Sequence, residues 1–132
     1  QVIPGSQRGP IFEHWHDGVF TGAVSPEVFE EVSSKRIDII GKPGTACFMH
    51  GRLLHGSAPN LSTGPRTLLI NEYRAEDAKP LDRNHIPSRM EGELVKGVIK
   101  NRVRCSDFEM AFPEYPTIAS FFDQQAKSSM GM

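Results

Sequence analysis

Long hydrophobic runs are absent from this sequence. Nothing approaches the roughly 18 consecutive apolar residues that span a bilayer, and the cleanest apolar stretch is the short one near Leu68 to Ile70, so no membrane partner is expected. An excess of one charge is lacking too. Fifteen basic against sixteen acidic residues leave a net charge of -1, and no Lys/Arg block is dense enough to follow a phosphate backbone, which argues against nucleic acid. Cysteine is scarce: Cys47 and Cys105 lie far apart, and Cys47 sits in an apolar run that reads as a buried strand. Two free thiols fit a reducing, cytoplasmic setting better than a disulfide. An initiating Met and the charged and apolar regions of a signal peptide are also missing. The chain opens instead on Gln1-Val2-Ile3, which reads as part of a strand entered mid-domain.

What is present is ordinary for a globular protein. The 132 residues are 38% hydrophobic and 23% charged, with a mean hydropathy of -0.37, which suits a single domain and excludes a disordered tail or a collagen. Ten prolines and twelve glycines, spread along the chain, suit short strands and many turns.

Val2-Ile3 running into Pro4-Gly5-Ser6 reads as a strand end and a tight turn, since proline presets φ and glycine supplies a positive φ. If Ile11 to Phe20 is extended, Phe12, His14 and His16 share one face, and Glu13, Trp15 and Asp17 the other. Ser25 as N-cap with Pro26 at the first helical position predicts a helix near 26–32. Arg36 to Ile40, the Lys42-Pro43-Gly44 turn and Thr45 to Met49 read as a strand–turn–strand unit. A polar block from His50 to Arg66 follows, and then a strand from Thr67 to Tyr73. Arg74 to Val95 reads as loop, Val95 to Val103 as a strand or a short helix, and Thr117 to Lys127 as a C-terminal helix.

Five histidines are few enough to weigh singly. His85 carries no motif and reads as surface. His14 and His16 form an H-x-H pair that on a strand could face one metal, although no glutamate follows as in cupin sites, so packing or substrate contact competes with ligation. Trp15 between them is a candidate substrate contact or a core aromatic. His55 is the informative one. Ser57, Asn60 and Ser62 trail it at short spacings, and Arg66 stands eleven residues downstream, at the start of a strand, where a guanidinium can present its fork to a carboxylate while Ser57 adds a neutral hydrogen bond. A metal ligand beside a carboxylate clamp is suited to a chelating oxo-acid; the alternative is a structural turn and a surface arginine.

The string from Val2 through Pro4-Gly5-Ser6-Gln7-Arg8-Gly9-Pro10, then Lys42-Pro43-Gly44 through Phe48 and His50, then His55-Gly56-Ser57-Ala58-Pro59-Asn60-Leu61-Ser62 with Arg66 and Tyr73, resembles the phytanoyl-CoA dioxygenase family, including its ectoine hydroxylase-like members. The resemblance spans Gln1 to about Leu81. It implies a mainly β, double-stranded β-helix fold of the jelly-roll or cupin-like kind, with Fe(II) and 2-oxoglutarate as cofactors and a small molecule as substrate. It further implies that His55 is the distal histidine of the iron triad, that Arg66 pairs with the far carboxylate of 2-oxoglutarate, and that Ser57 assists.

The chain departs from the family at two points. Gln7 stands where a histidine is common after Pro-Gly-Ser, and the H-x-D pair that supplies the other two iron ligands occurs nowhere in the 132 residues. Four to six candidate strands are also fewer than the eight such a fold closes, and unpaired edges invite association. The expectation is therefore that residues 1–132 form the C-terminal part of an oxygenase domain, self-associating or pairing with an N-terminal half. Two rival readings remain. One is a non-catalytic jelly-roll remnant binding a carboxylate ligand or partner subunit through Ser57 and Arg66. The other is a cupin-like site of His14, His16 and His55.

Overall fold

Val2 is a β-branched residue beside a proline turn, and in the computed structural model it is the point on which the chain converges. The structure describes residues 1–84 and 87–112, so the expected C-terminal helix and His85 lie outside the described residues. Two units are distinguished, one of Gln1–Leu61 with the described residues 110–112, the other of Ser62–Glu109; each is described by itself.

In the first unit, the N–H of Val2 donates to the Ile37 carbonyl at 3.0 Å and its carbonyl accepts from Ile37 at 2.9 Å. The groups on either side turn the other way: the Ile3 N–H donates to the Leu54 carbonyl at 2.9 Å, and the Gln1 carbonyl accepts from Gly56 at 3.0 Å. This is the alternation of an antiparallel ladder, and it places Val2 opposite both Ile37 and His55. Flanked by chain on both edges, Val2 is one of two buried hydrophobic residues among those described. The chain then reverses through Gly5, whose φ of 85° is the left-handed conformation glycine adopts freely, into a 3-10 turn at Ser6–Arg8.

Trp15–His16 (β1) and Val19–Phe20 (β2) form an antiparallel hairpin, with Trp15 opposite Phe20 and His16 opposite Val19. Its two central residues, Asp17 and Gly18, have φ of 52° and 75°. Positive φ at both is the type I′ turn whose twist matches that of paired strands. The extended run considered from Ile11 to Phe20 is thereby corrected: the chain turns at Asp17-Gly18, and the rings of both His14 and Trp15 approach Phe20, at centroid separations of 6.3 and 5.5 Å. Phe20, 3% exposed, is the second buried hydrophobic residue.

The helix α1 spans Pro26–Ser33. Ser25 caps it as its sequence requires: the Ser25 Oγ accepts from the Val28 N–H at 3.3 Å, and Pro26 occupies a first-turn position where no donor is needed. Val28 and Val32, one turn apart, are half-buried, whereas Phe29 stays exposed. Two bonds of 3-10 type, Lys35 to Val32 and Arg36 to Ser33, end the helix and deliver Ile37 to Val2.

The expected strand–turn–strand unit of 36–49 is corrected. Its turn forms, with Gly44 at φ 86° and a 3.0 Å bond from the Thr45 N–H to the Lys42 carbonyl, but the pairing of Ile37 goes to Val2, and among the described residues no ladder joins the flanks. Cys47, expected in a buried strand, is exposed, as is Cys105, and Phe48 is 92% exposed.

In the second unit a polar knot takes the place of a core. The Arg104 guanidinium holds both Asp77 carboxylate oxygens at 2.8 and 3.0 Å, the Arg104 N–H meets the Asp77 carbonyl at 2.6 Å, and Glu76 accepts from Lys79 at 2.6 Å and from the Lys100 N–H at 3.0 Å. These contacts, led by Lys79, hold the Glu76 carboxyl below its usual range. The strand expected at Thr67–Tyr73 is an exposed segment with no ladder among the described residues, Leu69 being 83% exposed, and 95–103 forms neither helix nor strand. Apolar runs mark faces and not partners, and neither run joins a ladder among the described residues. A complete double-stranded β-helix is accordingly not formed by the described residues. No helix among them is long and apolar enough to cross a membrane.

Candidate functional site

His55 is placed by the Val2 pairing. Because Leu54 and Gly56 are both bonded to the Gln1–Ile3 segment, the backbone on each side of His55 is fixed. A turn precedes it, closed by the Leu53 N–H on the His50 carbonyl at 2.9 Å and by the Arg52 N–H on the His50 Nδ1 at 3.1 Å. The Pro-Gly-Ser turn braces this segment twice, the Ser6 Oγ accepting from the Leu54 N–H at 2.8 Å and the Arg52 Nη2 donating to the Gly9 carbonyl at 2.6 Å. Neither Ser6 nor Arg52 was selected from the sequence as a site residue. The available signal was the Pro-Gly-Ser motif itself, whose serine has a side-chain oxygen to offer a backbone donor.

The imidazole of His55 is exposed, and its Nδ1 lies 2.8 Å from the Leu53 carbonyl. A carbonyl only accepts, so Nδ1 carries the hydrogen, and in the neutral ring the lone pair is then on Nε2. Ligating histidines are oriented in this way, one nitrogen held by a carbonyl and the other presented to the metal. Ser57 follows on the same segment and is exposed; Arg66 belongs to the second unit and is exposed there.

The hairpin candidates are more constrained than the sequence suggested. The Trp15 Nε1 donates to the Phe112 carbonyl at 3.1 Å, and the neighbouring Glu13 carboxylate accepts from the Ala111 N–H at 3.1 and 3.2 Å, so residues 111–112 close onto the start of the hairpin across nearly the whole sequence. The His16 Nε2 is 2.8 Å from the Ala23 carbonyl and donates to it. His14 is half-buried. Burial first, and then the nearby His16, push its pKa below 6.5, with Glu13 opposing. His14 is therefore neutral at pH 7 and able to donate or accept a hydrogen bond.

These placements test the expected iron site. His55 fits as a single ligand, but no group of three or more His, Cys, Asp or Glu side chains that could hold a metal ion forms among the described residues. The three-histidine reading of His14, His16 and His55 is corrected on this ground, since these side chains do not come together as such a group. The residues present do not complete an iron centre. Gln7, where the Pro-Gly-Ser motif of the resembled family usually continues with histidine, has its Oε1 buried with no hydrogen-bond partner among the described residues.

Comparison with known proteins gives these positions a context. The family described as Phytanoyl-CoA dioxygenase (PhyH) matches residues 1–68, a stretch that includes Ser6, His55, Ser57 and Arg66. A protein of Stutzerimonas stutzeri named probable alpha-ketoglutarate-dependent hypophosphite dioxygenase is 37% identical over 83 residues, covering 60% of this chain and 29% of its own length. The peroxisomal phytanoyl-CoA dioxygenase of Rattus norvegicus is 29% identical over 82 residues, 59% of this chain and 24% of its own. A probable phytanoyl-CoA dioxygenase of Caenorhabditis elegans is 30% identical over 80 residues, 58% of this chain and 25% of its own. The matched part of the chain thus spans 24–29% of the length of these relatives. No solved structure matches the chain.

Proposed function

Because the chain belongs to the phytanoyl-CoA dioxygenase family, whose members imply Fe(II) and 2-oxoglutarate as cofactors, we propose that it is the C-terminal part of a dioxygenase domain that hydroxylates a small organic substrate. The observation that carries this is His55, fixed on a paired backbone with Nδ1 on a carbonyl and Nε2 presented outward, within the matched stretch. In this reading the domain is a double-stranded β-helix, and the exposed apolar segments at 45–49 and 67–73 are faces that pack in the complete domain. The two further iron ligands, an H-x-D pair, come from polypeptide outside these 132 residues, on the ground that the pair is absent from the sequence.

The roles of this chain's own residues follow from their chemistry. The imidazole of His55 supplies one ligand from Nε2. Arg66 pairs its guanidinium with the distal carboxylate of 2-oxoglutarate, a bidentate contact that a lysine cannot reproduce, and the Ser57 hydroxyl donates to the same group. His14, Trp15 and His16 contribute to the substrate surface, with neutral His14 as the hydrogen-bonding member and Trp15 as an apolar wall whose N–H is already bound. Iron with 2-oxoglutarate, when both are bound, supplies the oxidising power; the chain supplies orientation.

The test is made in a polypeptide that carries this chain together with an H-x-D pair. His55→Ala is expected to abolish succinate formation from 2-oxoglutarate, while Arg66→Ala raises the KM for 2-oxoglutarate about 10- to 100-fold, the loss of a charge-assisted pair, and Arg66→Lys recovers it only in part. Undiminished succinate formation in both alanine variants refutes the assignment.

A further inference from the structure

The Pro-Gly-Ser turn does more than reverse the chain. Ser6 is itself fixed, its N–H on the Ile3 carbonyl at 3.2 Å and its carbonyl accepting from Gly9 at 3.0 Å. Its half-buried Oγ takes the N–H of Leu54 at 2.8 Å, while Ile3, at the other end of the same turn, donates to the carbonyl of Leu54. Both backbone polar groups of Leu54 are thus gripped by one four-residue bracket. Leu54 is the residue that separates the Leu53 carbonyl from the His55 ring, and the 2.8 Å contact between those two forms only when the dihedrals of Leu54 bring them onto the same side. Without that contact an imidazole in water favours the Nε2–H tautomer, which would put a hydrogen where a ligand's lone pair is needed.

We propose that Ser6 is a positioning residue for His55: by accepting the Leu54 N–H it holds the backbone on which the Leu53 carbonyl meets the His55 ring, and so selects the Nδ1–H tautomer. The inference rests on His55 acting as a ligand for its purpose, but not for its observation. Among the groups that brace this segment, Ser6 alone acts through a short neutral side chain, so its contribution can be removed without changing charge.

The experiment is nitrogen-15 NMR of the His55 ring in the 132-residue chain, without metal, at about pH 8.5, where an imidazole is neutral, together with hydrogen exchange of the Leu54 amide. The wild type is expected to show the Nδ1–H pattern and a protected Leu54 amide. Ser6→Ala should shift the ring to a mixture dominated by Nε2–H and speed Leu54 exchange about tenfold, the loss of one backbone-to-hydroxyl bond. Ser6→Thr, which keeps the acceptor, should restore both, and unchanged Trp15 emission certifies that the fold is kept. A folded Ser6→Ala chain with the tautomer unaltered, or a wild-type ring already in the Nε2–H form, overturns the proposal. Should Ser6→Ala fail to fold, Ser6→Cys retains the volume with a much weaker acceptor, and a wild-type tautomer ratio and Leu54 exchange rate in it overturn the proposal equally. None of these readouts involves iron. Loss of turnover in His55→Ala alongside a null Ser6 result would remove Ser6 alone, and full turnover in His55→Ala would leave the tautomer result standing.

Discussion

Phe20→Ala is the perturbation with the most to lose. Phe20 is 3% exposed and is the only aromatic among the two buried hydrophobic residues described. Burying a phenylalanine contributes about 1.5–3 kcal/mol, and the tilted pairing with Trp15, at 5.5 Å and 58°, about 0.5–1.5 kcal/mol more. Truncation should therefore cost about 2–4.5 kcal/mol, a large share of the roughly 5–15 kcal/mol that holds a typical domain. Phe20→Leu should cost less, since it keeps the apolar volume and loses the ring pair. The assay is urea unfolding followed through the emission of Trp15, the only tryptophan in the chain and a direct neighbour of the deleted ring. A second readout is independent of stability. His14 lies 6.3 Å from Phe20 and is depressed first by burial, so removing the ring should let its pKa climb back toward 6.5. A loss below about 1 kcal/mol with an unmoved His14 would refute the reasoning, because it would mean that the hairpin does not depend on this contact.

Three further outcomes are expected. Ser25→Ala should cost about 1 kcal/mol of stability while Ser25→Thr should not, and in the alanine variant the Glu27 carboxyl, held low first by the Ser25 hydroxyl, should titrate closer to its ordinary value by NMR. Gly18→Ala should cost about 1–2 kcal/mol by denaturant unfolding, all of it from the left-handed backbone, since a Cβ there would meet nothing within 4 Å; Gly18→Asn, which tolerates that backbone, should recover part of the loss, whereas a steric origin would make the larger asparagine cost more. The pH dependence follows from His14, whose folded pKa lies below 6.5. The unfolded chain then binds more protons in that window, so the stability held in neutral His14 is complete above pH 6.5 and lost as pH falls through the folded value. His14→Gln should flatten that part of the unfolding free energy against pH.

The residues proposed to carry the chemistry are legible in the sequence because they are local. Histidine, serine and arginine at fixed short spacings between 55 and 66 need no knowledge of the fold to be seen, and the family match covers them. The helix at Pro26–Ser33 was legible for the same reason: a serine cap and a first-turn proline act within one turn of chain. Asp17-Gly18 carried an equally local hairpin signal, the residue pair that tolerates positive φ twice, which an extended reading of 11–20 overlooked.

What the sequence could not settle is who pairs with whom. Arg36 to Ile40 alternates as one strand of a hairpin should, yet Ile37 pairs with Val2 at a separation of 35 positions, and Trp15 binds a carbonyl 97 positions away. Period-two patterning states which side of a strand is apolar; the choice of partner depends on geometry summed over the whole chain. The sequence alone determined that an imidazole stands at position 55. The tertiary structure decided that this imidazole has Val2 opposite it and Ser6 beneath its backbone, and that its hydrogen sits on Nδ1, because a tautomer is selected by a carbonyl's position in space, which no residue spacing encodes.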